Sequence, residues 1–333
     1  MIHFLSPGAG GVRTGGYLYN ARLIEGLHKL GRGVSTCALQ GGWPIPEPVD
    51  RRRCAEQIAA LPPGPIVADG LLWTGVAQSL GPSVARRCLV LVHSPLWREE
   101  GDALRAPEEA ALAAAARVVC TSARTASDLA IAAPCAVIEP GTDRAPPAAA
   151  VGGARLLCVA TVTPRKAHDV LVDALARLSV PWRLRCAGSL DRDVAWADEV
   201  VAQARRLGVA DRIDWLGELA EAELAAEYAS ASILVHPARY EGWGMALAEA
   251  LARGLPVVST PAGIFEARSE ARGSAWIEVA AADPGALASA LGQVLSDPRR
   301  AASLHRHALA LALPDWPRQV ARFVEQIDAM EVS

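Results

Sequence analysis

The chain has 333 residues, of which 51% are hydrophobic and 21% charged, a balance that excludes intrinsic disorder and leaves room for two α/β domains with separate cores. Thirty-three basic residues face 36 acidic ones, for a formal net charge of -3. Through Asp143 the two signs balance at 13 each, and beyond it 20 basic residues meet 23 acidic ones. Neither half is a cationic patch, which argues against a nucleic-acid partner and gives no support for electrostatic docking to an anionic membrane.

The opening MIHFLSPGAGG lacks a basic n-region and a long apolar run, and no uninterrupted apolar stretch approaches about 18 residues, so the expected location is cytoplasmic. Seven cysteines without CxxC spacing fit that compartment. Cys88, Cys120, Cys158 and Cys186 sit in apolar runs and are expected as reduced core residues.

In chain order, a strand from Ile2 to Leu5 is followed by a glycine-rich loop and a helical pattern from Tyr17 to Leu30. That pattern predicts Leu18, Leu23, Leu27 and Leu30 inward, with Gly31 and Gly33 closing the helix. A second strand ends near Gln40, and strand-like runs recur at Ile66 to Ala68, Cys88 to Val92 and Val118 to Cys120. Their alternation with helical or turn segments predicts a parallel sheet. Arg144 to Gly153, RAPPAAAVGG, has the composition of a domain boundary. A second alternating series then runs through Leu156 to Ala160, Arg183 to Ala187, Ile213 to Leu216, Ile233 to Val235 and Pro256 to Ser259. A last helix is expected near Pro317 to Met330.

Within the second series, SILVHPARYEGWGMALAEALARGLPVVST brackets a glycine-bearing loop and a short helix between two strands. Ligands of open α/β sheets bind beyond the carboxyl ends of strands, which makes Arg239 to Gly244 a candidate ligand loop. Gly242 and Gly244 leave the backbone uncluttered, and free N–H groups at a helix start near Met245 suit a phosphate. Glu241 and Glu249 are eight residues apart, roughly 12 Å along a helix, which is too far for an acid/base pair. The same span matches a sugar diphosphate plus a ribose. Glu249 taken alone also reads as a solvated helix residue.

The segment E-GWGMALA-E, in the setting HPARYEGWGMALAEALARGLPVVST, resembles the hallmark of the retaining nucleotide-sugar glycosyltransferases of family four. CVATVTPRKAHDVLVDALARL, VVCTSARTASDL, VIEPGTD, DRIDWLGEL and PDWPRQVARFVEQI look like further landmarks of that family in the expected order, so the resemblance covers nearly the whole chain. It implies an α/β chain of the GT-B type, with two Rossmann-like parallel-sheet domains facing a central cleft. An acceptor-binding domain would span residues 1–145 and a donor-binding domain 153–312, with residues 313–333 forming a helix that crosses back to the first domain.

The implied activity is hexose transfer from a UDP- or GDP-sugar to a hydroxyl, with retention, no metal, and no cofactor beyond the sugar nucleotide as co-substrate. By the resemblance, Glu241 grips sugar hydroxyls, Glu249 holds the ribose, and Gly242, Trp243, Gly244, Met245 and Ala246 present the loop and helix start. Lys166, with Arg165 beside it, neutralises the diphosphate. Here the sequence departs from the family, whose usual arginine five residues before the lysine aligns with Thr161, while Ala167 replaces a common glycine. Gly15 and Gly16, ahead of the first long helix, read either as a tight turn or as an approach to the diphosphate, and the resemblance favours the second. His93 reads either as a strand-end histidine satisfied by backbone or as a hydrogen-bonding partner of the donor sugar. Leu216 and Gly217 are assigned to the nucleobase edge, whereas His168 and His236 look structural.

Two other motifs fail. Gly8-Ala9-Gly10 would need a third glycine where Arg13 stands. Asp191-Arg192-Asp193 has the form of a metal-binding DxD, but its place ahead of a helix suits a solvated cap. A GT-B nucleotide-sugar epimerase and a non-catalytic donor-binding subunit remain as alternatives, and the acceptor is open among lipid, glycan and small metabolite.

Overall fold

The computed structural model describes residues 1–8, 15–148 and 154–331. The motif residues Ala9 to Arg13 and the boundary residues from Ala149 to Gly153 lie outside the described residues. The chain forms two compact units, Met1–Gly141 with Pro314–Ser333, and Thr142–Leu313.

In the first unit, β1 (Ile2–Pro7), β2 (Val34–Leu39), β3 (Ile66–Asp69), β4 (Cys88–Val92), β5 (Arg117–Cys120) and β6 (Cys135–Val137) form one sheet in the order β2-β1-β3-β4-β5-β6. Every pairing is parallel. β3 and β4 are buried along their whole length, as expected of parallel strands covered on both faces. The first long helix, Gly15–Lys29, buries Tyr19, Leu23 and Leu27 at a spacing of four. Leu18 and Leu30 were expected inward, yet they are 41% and 54% exposed. Leu18 precedes the inward Tyr19 by one position, about 100° around the helix, and Leu30 falls past the last turn.

The final helix, Trp316–Glu331, packs on that first helix inside the same unit. A Cβ at Gly26 would lie 2.4 Å from Val320 Cγ2, so glycine permits the close approach. Arg32 Nη2 reaches Asp328 Oδ2 at 2.7 Å, and Arg117 Nη1 donates to Gln326 Oε1 at 2.8 Å.

The second unit repeats the plan with β7 (Arg155–Val159), β8 (Arg183–Ala187), β9 (Ile213–Gly217), β10 (Ile233–His236), β11 (Val257–Ser259) and β12 (Trp276–Glu278), in the order β12-β11-β10-β7-β8-β9. All its pairings are parallel. β7, β8 and β9 grow to one side and β10, β11 and β12 to the other, which puts the topological switch point between β7 and β10. β6 and β12 were not anticipated; at three residues each they are too short to show a period. None of the seven cysteines, all among the described residues, forms a disulfide, and Cys88, Cys120, Cys158 and Cys186 are buried as expected. Among the described residues no helix is long and apolar enough to cross a membrane.

Candidate functional site

The switch point of the second unit gathers the loops that follow β7 and β10. Arg239 N donates to Arg165 O at 2.8 Å, joining the two backbones. The Arg239 guanidinium adds bonds to both carboxylate oxygens of Asp169, at 3.0 and 2.6 Å, and to Pro164 O. Thr260, after β11, donates from Oγ1 to Ala238 O at 2.6 Å. The loop carrying Glu241 is thus tied down from two neighbouring strands.

On this scaffold Lys166 Nζ donates to Glu241 Oε2 at 2.5 Å, and His236 Nε2 lies 2.8 Å from the same oxygen. The side chains of Lys166, Glu241 and His236 are 15%, 12% and 3% exposed, so the pair is largely shielded from water. Burial alone would raise the Glu241 carboxyl, but the Lys166 charge, the His236 hydrogen bond and the nearby Arg165 charge outweigh it and hold it well below the usual carboxylate range. Arg165 Nη1 donates to Tyr240 O at 3.1 Å. The adjacent Arg165 and Lys166 therefore converge on one loop, where side chains next to each other in sequence need not do so.

Lys166 ends a short 3-10 turn, Pro164–Lys166, and Ala167 then takes φ 54°, ψ 42°. That left-handed conformation is one a glycine adopts without strain, which explains why glycine is common at this position in the resembled family. Gly244, at φ 102°, has the same task at the start of the helix Met245–Ala252, turning the chain so that the helix N–H groups begin at Met245. Trp243 offers a ligand only its backbone: its indole is buried in the core with Leu247, Phe265 and Trp276.

About one turn into that helix, four residues after Met245, Glu249 is half-buried. Burial raises its carboxyl above the usual range, opposed by the nearby Tyr228 hydroxyl, which donates to Ala246 O at 3.2 Å, and by the charge of Arg253. The Arg253 guanidinium lies 4.7 Å from the centre of the Tyr228 ring and donates to Glu249 O at 2.9 Å. Leu216 and Gly217 end β9, where Gly188 N donates to Gly217 O at 2.8 Å. Asp193, from the DxD triplet, caps the helix Val194–Arg206 by accepting from Trp196 N at 3.0 Å.

The first unit holds its own polar cluster, at the carboxyl ends of β3 and β4. His93 Nε2 lies 3.1 Å from Asn20 Oδ1 and 3.5 Å from Asp69 Oδ2, and Asn20 Nδ2 donates to Asp69 Oδ2 at 3.0 Å. Gly16 stands against this histidine, for a Cβ there would lie 3.0 Å from its Cδ2. Asn20 and Asp69 were missed in the sequence, as was the contact of His236 with Glu241; no motif marks them, and each becomes notable only through its spatial partners.

Residues 153–297 match the family of glycosyl transferases group 1. Among curated relatives, the lipopolysaccharide core mannosyltransferase LpcC of Rhizobium leguminosarum bv. viciae is 32% identical over 208 residues, 58% of each chain. D-inositol 3-phosphate glycosyltransferase 2 of Catenulispora acidiphila is 34% identical over 186 residues, 51% of this chain and 42% of that one. The chain spans about half the length of the curated relatives it matches. Sucrose-phosphate synthase of Thermosynechococcus elongatus superposes over 99% of both chains with a TM-score of 0.82 at 21% identity. Anabaena Alr3699/HepE, solved with UDP and glucose, gives 0.76 at 18% identity, over 98% of this chain and 99% of that one. At these identities the likeness concerns the fold, two Rossmann-like parallel sheets of the GT-B class.

Proposed function

We propose, from the match of residues 153–297 to the glycosyl transferases group 1 family, that the protein transfers a hexose from a nucleoside diphosphate sugar to a hydroxyl acceptor, with retention and without a metal ion. The observation that carries this reading is the shielded Lys166–Glu241 pair, set beside the open helix start at Gly244 on the sheet's switch point.

A diphosphate arriving at Met245 and Ala246 meets backbone N–H groups and the Lys166 ammonium, and draws that ammonium away from Glu241. Glu241, still held at Oε2 by His236, is then free to accept from sugar hydroxyls. Arg165 stands where the missing family arginine is needed, since its guanidinium already reaches the backbone of Tyr240. Glu249, beside Tyr228 and Arg253, accepts from the ribose, and the backbone at Leu216 and Gly217 borders the base. In the first unit, Gly15 and Gly16 open a helix start beside His93, which is suited to hydrogen-bond a sugar hydroxyl.

In the transfer the bond from the anomeric carbon to the phosphate oxygen breaks and a bond to the acceptor oxygen forms on the same face. The acceptor proton passes to the departing phosphate oxygen. Positioning and charge stabilisation supply the catalysis, and no carboxylate is needed as a covalent nucleophile. The cations and N–H groups neutralise the diphosphate, which removes the need for a divalent ion.

A Mycolicibacterium smegmatis relative is named a GDP-mannose-dependent mannosyltransferase and HepE was solved with UDP and glucose, so both GDP- and UDP-sugars belong in the test. A thermal-shift screen of nucleotide sugars identifies the donor. Product analysis with and without acceptor then separates transfer from epimerisation, and donor hydrolysis by the purified chain separates an enzyme from a binding subunit.

A further inference from the structure

We infer that Asn20 and Asp69 are positioning residues that lock His93 as its Nε2–H tautomer and so present Nδ1 as the ring's acceptor for a ligand hydroxyl. This rests on the proposed role of His93 in transfer, but the state of the ring can be read without it.

For the neutral ring the directions of the bonds leave one solution. An ionised carboxylate only accepts, and Asp69 accepts at both oxygens: Oδ1 from Leu71 N at 2.9 Å and Oδ2 from Asn20 Nδ2 at 3.0 Å. The Asn20 amide is thereby oriented, and its oxygen faces His93 Nε2 at 3.1 Å. An amide oxygen also only accepts, so the hydrogen lies on Nε2. Asp69 Oδ2, 3.5 Å from the same nitrogen, reinforces that choice.

Burial makes the arrangement firm. Asn20 is 4% and Asp69 8% exposed, whereas the His93 side chain is 22% exposed, so the ring reaches solvent and its anchors do not. Burial would raise the Asp69 carboxyl, yet the neighbouring His93 and the bonds from Asn20 and Leu71 hold it below the ordinary value and keep it an acceptor. The ring is fenced by Tyr19, edge-on with centroids 5.4 Å apart, and by Gly16, where a Cβ would lie 3.0 Å from Cδ2; Thr121 Oγ1 donates to His93 O at 2.8 Å. Asn20 sits on the helix after β1, Asp69 ends β3, and His93 follows β4. β1 and β3 flank the switch point of this sheet, the place where an open α/β sheet binds ligands.

The test is the His93 tautomer, read from long-range 1H–15N correlation spectra of the full chain labelled in histidine, with donor turnover measured alongside. Wild type shows Nε2–H. The decisive arm is Asp69→Asn, which can still accept from Leu71 N and so keeps the helix cap. Its amide nitrogen takes the place of Oδ2, the Asn20 amide must turn over, and His93 is driven to the Nδ1–H form with turnover reduced on the order of tenfold. The exchanged pair Asn20→Asp with Asp69→Asn puts a carboxylate against the ring again and restores both Nε2–H and turnover. If folded Asp69→Asn keeps Nε2–H, or the exchanged pair lacks it, the inference is overturned; should Asp69→Asn fail to fold, the exchanged pair carries the test. His93→Ala with undiminished transfer would instead remove the proposed role of His93 and leave the tautomer result standing.

Discussion

Lys166 Nζ and Glu241 Oε2 meet at 2.5 Å across 75 residues of chain, and His236 Nε2 reaches the same oxygen at 2.8 Å. One contact therefore joins the loops after β7 and β10 and stores a cation and a carboxylate where a charged donor would use both. Lys166→Met leaves Glu241 largely buried with His236 beside it and only the more distant Arg165 charge to offset its own. Because both side chains retain some exposure, a loss of about 2–3 kcal/mol is expected in urea unfolding, with donor turnover abolished.

The pH dependence of stability is expected to run in two directions. Glu241, held low by Lys166 and His236, contributes stability that is present above its unfolded value of 4.5 and lost as pH falls through its lower folded value. Glu108 is the reverse case. Burial pushes its carboxyl up to about 7 despite bonds from Leu96 N at 3.0 and 2.9 Å. Its contribution is full below pH 4.5 and is lost as pH rises toward 7, a change of roughly 3 kcal/mol. Denaturant titrations at pH 5 and 8 should show Glu108→Gln flattening this slope.

Gly188, at φ 152°, marks the tightest backbone approach beside the site. A Cβ there would lie 2.1 Å from Ala160 O, in the loop that leads to Lys166. Gly188→Ala is expected to cost about 3 kcal/mol or more, because moving either backbone strains the bond from Gly188 N to Gly217 O or the bond from Ala160 N to Ala187 O. Thermal melting of the variant gives the value.

The two glutamates should separate by ligand. Glu249→Ala is expected to weaken binding of the nucleoside diphosphate alone by about tenfold, by removing the ribose acceptor. Glu241→Ala should leave that affinity within about twofold and act only when the sugar is attached. Calorimetric titration with the diphosphate and with the intact donor distinguishes them.

Much of this was legible in the sequence because parallel strands buried on both faces read as unbroken apolar runs, and both sheets declared themselves that way. The loop, the helix start, Glu241 and Lys166 were visible because charge and glycine cluster there against an apolar background. Asn20, Asp69 and His236 were not. Asn20 and Asp69 are 49 residues apart and meet only because β3 pairs beside β1, while His236 ends an apolar strand and looks like a core residue until Glu241 folds over it. Leu18 and Leu30 failed for a local reason: leucine content suggested an inward face, but the register of the helix is set by Tyr19, Leu23 and Leu27.

The most direct test of the account is the release of nucleoside diphosphate from the preferred sugar nucleotide by the wild-type chain and by Glu241→Ala, after both are shown to melt cooperatively. Wild type should turn the donor over, and the variant should fall by roughly a hundredfold or more while still binding the nucleotide. Equal rates from the two proteins would contradict a role for Glu241 at the reacting sugar.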